Sequence, residues 1–208
     1  LGWLDEARIL LRQEESVSVW SVRSGEQLAV CPILDPVQVR RWACGPAVAA
    51  WSRERLMLWS LGSGIVVLLG RESGVGELAW SPGGMLLSLD ESGRLGCWER
   101  SGTQRWQQDG IVAMAVHPTQ DTVLVVDAER IACVAVASGQ TLASLPAGNL
   151  AAASWMGERV ILHGSAGGIG GERIRIWEPE TGRVRWLWGS GGRLFTQEGD
   201  GPIVHDGQ

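Results

Sequence analysis

Arg173-Ile174-Arg175-Ile176-Trp177-Glu178-Pro179-Glu180-Thr181-Gly182 decides how this chain is read, because the chain rewrites it at intervals. Polar and apolar residues alternate up to a Trp, the period-two pattern of a strand with two unlike faces. A small hydroxyl residue and a Gly follow three to five places later. Ser16-Val17-Ser18-Val19-Trp20 leads to Ser24-Gly25, and Arg55-Leu56-Met57-Leu58-Trp59 leads to Ser63-Gly64. Arg94-Leu95-Gly96-Cys97-Trp98 leads to Ser101-Gly102. Arg130-Ile131-Ala132-Cys133-Val134 leads to Ser138-Gly139, with Val in place of the Trp. The successive Trp and Val landmarks lie 39, 39, 36 and 43 residues apart, and a period near 40 marks a repeat architecture.

Each unit has a second landmark upstream. Trp3, Trp42, Trp80 and Trp155 precede a turn-like segment, of which Trp80-Ser81-Pro82-Gly83-Gly84 is the clearest. Val116-His117-Pro118-Thr119-Gln120 is its counterpart in the Val-bearing unit. Short runs such as Met85-Leu86-Leu87-Ser88-Leu89 and Val123-Leu124-Val125-Val126 come next. They are apolar on both faces, as a strand held between two neighbouring sheets must be. After each Gly comes a fourth segment, as in Thr103-Gln104-Arg105-Trp106; three of the five carry several polar residues, the composition of an outer edge strand. No window sustains a helical period.

The pattern predicts an all-β chain, a single β-propeller domain over 1–208 built of four-stranded antiparallel blades. The expected blades cover about 1–31, 41–69, 77–107, 111–145 and 150–188. Residues 189–208 are expected to open a partial sixth blade, with strands in 192–196 and 203–207. The 208 residues do not divide into whole units, and bare end blades would expose apolar strands. An open arc, a fragment of a seven-bladed propeller, is therefore expected, with a closed five-bladed ring as the competitor. The Gly-rich stretch 164–171 is expected to form a loose hairpin tip.

Leu78 through Trp98, and Arg173 through Gly182, resemble WD-repeat units. The resemblance implies a non-enzymatic propeller that serves as a protein–protein interaction scaffold, here a cytoplasmic module of a larger bacterial protein. The departures are specific. Ser21, Ser60, Glu99 and Glu178 follow the landmark Trp where the family has Asp. The Asp expected six residues before the Trp is replaced by Glu14, Arg53, Ser92 and Gly171, so the family's buried Asp–His–Ser–Trp network cannot be assembled. A related, quinoprotein-like propeller is the alternative. There a Trp commonly closes the fourth strand, as Trp106 and Trp186 do, and a small-molecule or metal cofactor is implied.

Composition narrows the partners. A net charge of -5 and a pI near 5.3 argue against a nucleic-acid binder. All 18 basic residues are Arg, and they are scattered rather than gathered into a phosphate-binding patch. No apolar run reaches the length of a membrane span. Cys31, Cys44, Cys97 and Cys133 form no C-x-x-C pair, which argues against zinc and against a disulfide framework. The expectation is therefore a protein partner on a propeller face, with no nucleic acid, membrane, cofactor or metal.

No catalytic constellation stands out. Residues 163–172 are Gly-rich, yet a strand pattern follows them where a dinucleotide fingerprint needs a helix. His117, His163 and His205 fall singly in separate units, far from a ligand-spaced partner. Acidic residues gather instead in the turns between the second and third strands: Glu14, Glu15, Glu54, Asp90, Glu91, Asp127, Glu129 and Glu172. Solvated turn residues are the ordinary explanation. The functional one is an acidic rim for a cationic partner surface, with Glu15, Arg53, Glu54, Glu91, Glu129, His163 and Glu172 as the contact residues.

Overall fold

The computed structural model describes residues 2–3, 6–12, 16–32, 41–44, 47–52, 55–60, 66–70, 74–148, 150–165, 172–190 and 193–198. No helix occurs among them. The first blade holds β1 (Gly2–Trp3), β2 (Arg8–Arg12), β3 (Ser16–Ser21) and β4 (Gln27–Pro32). The second holds β5 (Arg41–Cys44), β6 (Val48–Ser52), β7 (Arg55–Trp59) and β8 (Val66–Gly70). The third holds β9 (Val75–Trp80), β10 (Leu86–Asp90), β11 (Leu95–Trp98) and β12 (Gln104–Gln108). The fourth holds β13 (Ile111–Val116), β14 (Thr122–Asp127), β15 (Arg130–Ala135) and β16 (Thr141–Pro146). The fifth holds β17 (Leu150–Met156), β18 (Arg159–Ser165), β19 (Glu172–Glu178), β20 (Arg183–Ser190) and β21 (Arg193–Glu198). Each sheet is an antiparallel meander in chain order, the blade architecture that the period of the sequence predicts.

The landmark residues hold one register throughout. Trp20 pairs with Ile9, Trp59 with Val48, Trp98 with Leu86, Val134 with Val123 and Trp177 with Val160. Cross-strand neighbours share a face, so the landmark side chain always lies beside an aliphatic side chain of the second strand. Trp59, Trp98, Val134 and Trp177 are buried as the repeat requires, whereas Trp20 is only half-buried. The hydroxyl-Gly pair that follows is also explained. Ser24, Ser101, Ser138 and Thr181 each accept the N–H of the residue two places on, closing the turn from the third to the fourth strand. The next residue, Gly25, Gly102, Gly139 or Gly182, has φ of 69°, 89°, 72° or 71°, the left-handed region that a Cβ makes costly.

Core formation happens between blades. One apolar cluster joins Leu10, Val17 and Val19 of the first blade to Val48 and Trp59 of the second. Another joins Leu56 and Leu58 to Leu86 and Trp98. A third joins Leu87, Leu95 and Cys97 to Met114, Val123 and Val134. The last joins Leu124, Ile131 and Cys133 to Val160, Leu162 and Trp177. The second to fifth blades thus each set the landmark face on the opposite face of the blade before. Among the described residues no such cluster joins the fifth blade to the first, and the sheets form an open series.

Two stretches differ from expectation. Arg193–Glu198 does not enter a new sheet; β21 pairs with β20 from Ser190↔Arg193 to Arg185↔Glu198, as a fifth strand on the outer edge of the fifth blade. Only Gly191-Gly192 separates Ser190 from Arg193 in the sequence, a dipeptide that favours a return hairpin over a crossover to another sheet. Gly164 and Ser165, expected within a loop, extend β18 and pair with Arg173 and Glu172. Residues 166–171 and 199–208, including the second strand expected at 203–207, lie outside the described residues.

Candidate interaction face and blade junctions

The turns from the second to the third strand are built alike in the third and fourth blades. Asp90 ends β10 and is buried, contrary to its expected place among the solvated turn residues. Its Oδ1 accepts the Ser92 N–H at 3.0 Å, the Ser92 hydroxyl at 2.6 Å and the Arg94 N–H at 2.8 Å. Asp127 ends β14 and accepts the N–H groups of Glu129 at 2.9 Å and Arg130 at 2.8 Å, while Arg130 Nε reaches its other oxygen at 3.0 Å. Burial works to raise the Asp127 pKa, but these donors and the Arg130 charge outweigh it and hold the carboxyl below its usual value. An inward Asp at each turn leaves the following acidic residues, Glu91 and Glu129, exposed.

Glu91 borders a cleft of about 550 Å³ between the third and fourth blades. Glu77, from the inner strand β9, and Val112, from the inner strand β13, line its other sides. Val112 is 68% exposed, the most exposed large apolar side chain among the described residues. Two hydrogen bonds fasten the cleft floor: Glu91 N–H to Gly74 O at 2.7 Å and Ile111 N–H to Gly93 O at 2.8 Å. Glu77, Glu91 and Val112 thus border one cleft on a backbone that is already tied down.

Of the seven residues expected to contact a partner, Glu91 and Glu129 stand exposed on equivalent turns. His163 lies elsewhere, half-buried in β18 and register-paired with Ile174, on the face of the fifth blade turned away from the fourth. Glu172 opens β19 opposite Ser165. Glu15, Arg53 and Glu54 lie outside the described residues. Glu77 and Val112 carry no motif in the sequence, and only the folding of two inner strands around one cleft brings them to Glu91. Among the described residues no group of three or more His, Cys, Asp or Glu is placed to hold a metal ion.

His117 and Trp106 serve the junctions instead. His117 is fully buried; its Nδ1 accepts the N–H groups of Thr119 at 3.1 Å and Gln120 at 2.9 Å. Its Nε2 therefore carries the proton and donates to Gly157 O of the fifth blade at 3.0 Å. The ring meets Trp155 edge-on at 4.5 Å, and Trp155 donates its indole N–H back to Ala115 O at 2.8 Å. Trp106, on the outer strand β12, donates to Val136 O of the fourth blade at 2.6 Å. A Cβ built on Gly139 would stand 2.9 Å from the Trp106 ring, so the indole lies directly against that turn. Gly83 N–H to Asp121 and Gln120 to Glu158 are further links of the same kind. These contacts span 30 to 40 residues, and most match the repeat period, because neighbouring blades meet at equivalent places.

The buried thiols are unreactive in character. Burial raises the pKa of Cys31, Cys97 and Cys133, and the nearby Asp121 charge helps push Cys97 to about 12. The Trp98 indole N–H donates to Ser88 Oγ at 2.9 Å, and both residues are buried.

No protein-family model and no curated protein matches the chain. Among solved structures it is similar to a chain described as "Crystal Structure of Mitotic Checkpoint Complex". The TM-score is 0.57 at 16% identity, over 92% of this chain and 72% of that one. The likeness is one of fold, and it supports the WD-repeat-like propeller resemblance.

Proposed function

We propose that this chain is a non-enzymatic propeller scaffold that binds a protein partner through a cationic segment seated in the cleft between the third and fourth blades. The observation that carries the reading is the cleft itself, where Glu77 and Glu91 flank the exposed Val112. A segment presenting Arg or Lys beside an apolar residue matches this pattern of charge and surface. Glu129, on the equivalent turn one blade further on, extends the acidic character along the same face.

The alternative of a cofactor-binding propeller draws on Trp106 and Trp186. Trp106 has its indole N–H on Val136 O and its ring against Gly139, both within the blade junction. That position suits a structural role.

A displayed random-peptide library tests the proposal. Selection on the protein should enrich peptides with Arg or Lys flanking one apolar residue. Their affinity should fall with salt and drop about tenfold, roughly 1.4 kcal/mol, in Glu77→Gln/Glu91→Gln. Failure to enrich basic peptides, or binding indifferent to both substitutions, would overturn it.

A further inference from the structure

Glu91 is held more closely than an exposed turn residue needs to be. Asp90, just before it, caps the turn: its Oδ1 accepts the N–H groups of Ser92 and Arg94 and the Ser92 hydroxyl. The segments that enter two inner strands then tie the turn from outside. Glu91 donates its N–H to Gly74 O, just before β9, at 2.7 Å. Gly93 O accepts the N–H of Ile111, the first residue of β13, at 2.8 Å. The backbone that carries the Glu91 side chain is therefore fixed from within and from both neighbouring segments.

The side chain is placed as well. A Cβ built on Gly74 would stand 3.0 Å from Glu91 Cδ and 3.1 and 3.2 Å from its two oxygens. These distances are shorter than an ordinary van der Waals contact. The carboxylate thus lies across the space that a side chain at position 74 would fill. Gly74 is not among the glycines of positive φ, so its backbone conformation does not call for glycine. What glycine supplies there is room. Gly110, which stands just before β13, is the contrast. Its φ is 78° and a Cβ on it would meet nothing within 4 Å, so it answers a backbone need and not a side-chain one.

We infer that Gly74 is a positioning residue for the partner's cation: lacking a Cβ, it lets the Glu91 carboxylate rest on the backbone beside the cleft, set in place before a cationic side chain arrives. The inference rests on the cleft reading given above. Ordering one long side chain on binding weakens affinity about two- to tenfold, and a carboxylate ordered beforehand avoids that loss.

Fluorescence anisotropy with a labelled Ala-Arg-Leu-Arg-Ala peptide tests the role. Gly74→Ala should weaken binding about two- to tenfold. The same substitution in the Glu91→Gln background should change nothing, because no carboxylate is left to displace. Glu91→Asp keeps the charge but withdraws it by one methylene from Gly74, and should lose affinity by a similar factor. Nuclear magnetic resonance adds a readout that needs no peptide: three-bond couplings of the Glu91 side chain should report one χ1 rotamer in the wild type and averaging in Gly74→Ala. Melting curves check that each variant folds, and if Gly74→Ala does not, Glu91→Asp and the wild-type couplings carry the test. A wild type that leaves the peptide unbound overturns the cleft reading and this inference with it. Equal binding by wild type and Gly74→Ala, equal losses in both backgrounds, or averaged couplings in the wild type overturn the inference alone.

Discussion

The indole N–H of Trp98 donates to the hydroxyl of Ser88 on the neighbouring strand at 2.9 Å, and both residues are buried. In the first blade Trp20 makes the same bond to Ser18 on its own strand at 2.8 Å. Ser88 faces Gly96 across the ladder and Ser18 faces Leu11, so one hydroxyl position is supplied from either of two strands. Trp177 in the fifth blade has Arg175 and Leu162 at these places, and its buried indole N–H has no partner among the described residues.

Ser88→Ala should therefore cost about 1–3 kcal/mol, the penalty for leaving a buried donor unsatisfied. Ser18→Ala should cost clearly less, because Trp20 is half-buried and water can take over its N–H. Urea unfolding of the two variants measures the difference. Equal losses would show that the hydroxyl's environment does not govern its worth.

Gly139 and Gly182 have nearly the same backbone, φ 72° and 71°, but different surroundings. A Cβ at Gly182 meets nothing within 4 Å, whereas one at Gly139 meets the Trp106 ring at 2.9 Å. Gly182→Ala should cost only the left-handed penalty of about 1–2 kcal/mol. Gly139→Ala should cost more, and the excess should vanish in the Trp106→Ala background. Additive losses in that double-mutant cycle would mean that the indole moves aside freely.

Asp127 makes stability depend on acidity. Its carboxyl pKa is lowered in the folded state, so its contribution is complete above the unfolded value of 3.8 and is lost as pH falls through the lower folded value. Asp127→Asn should flatten the acid limb of a melting-temperature profile below about pH 4 and leave its slope near neutrality unchanged. An unaltered acid limb would place the acid sensitivity in other carboxylates.

Cys97 is buried at the junction of the third and fourth blades, with its pKa near 12. It donates to Val136 O at 3.6 Å. Its reaction with a maleimide at neutral pH should be limited by opening of the junction. Trp106→Ala, which removes an indole bond to the same carbonyl, should speed Cys97 labelling more than Cys31 labelling. Equal acceleration at both thiols would indicate global unfolding as the route.

Periodicity alone located the strands and their order, since a blade is a local meander and each hairpin carries its turn chemistry with it. Ser101-Gly102 and Ser138-Gly139 specify a capped left-handed turn whatever lies around them. The alternation ending at Trp59, Trp98 and Trp177 fixes which face each ring takes, and burial followed from that. Tertiary structure decided what depends on a neighbouring blade. Nothing in one repeat tells that Trp106 will lie on Gly139, that His117 will bond Gly157, or that Glu77 and Val112 will meet Glu91 across a cleft. It also decided that β21 would extend the fifth sheet, because edge hydrogen bonds accept any strand that reaches them. A repeat encodes its own blade through short-range pattern, whereas junctions and clefts arise only where two blades are brought together.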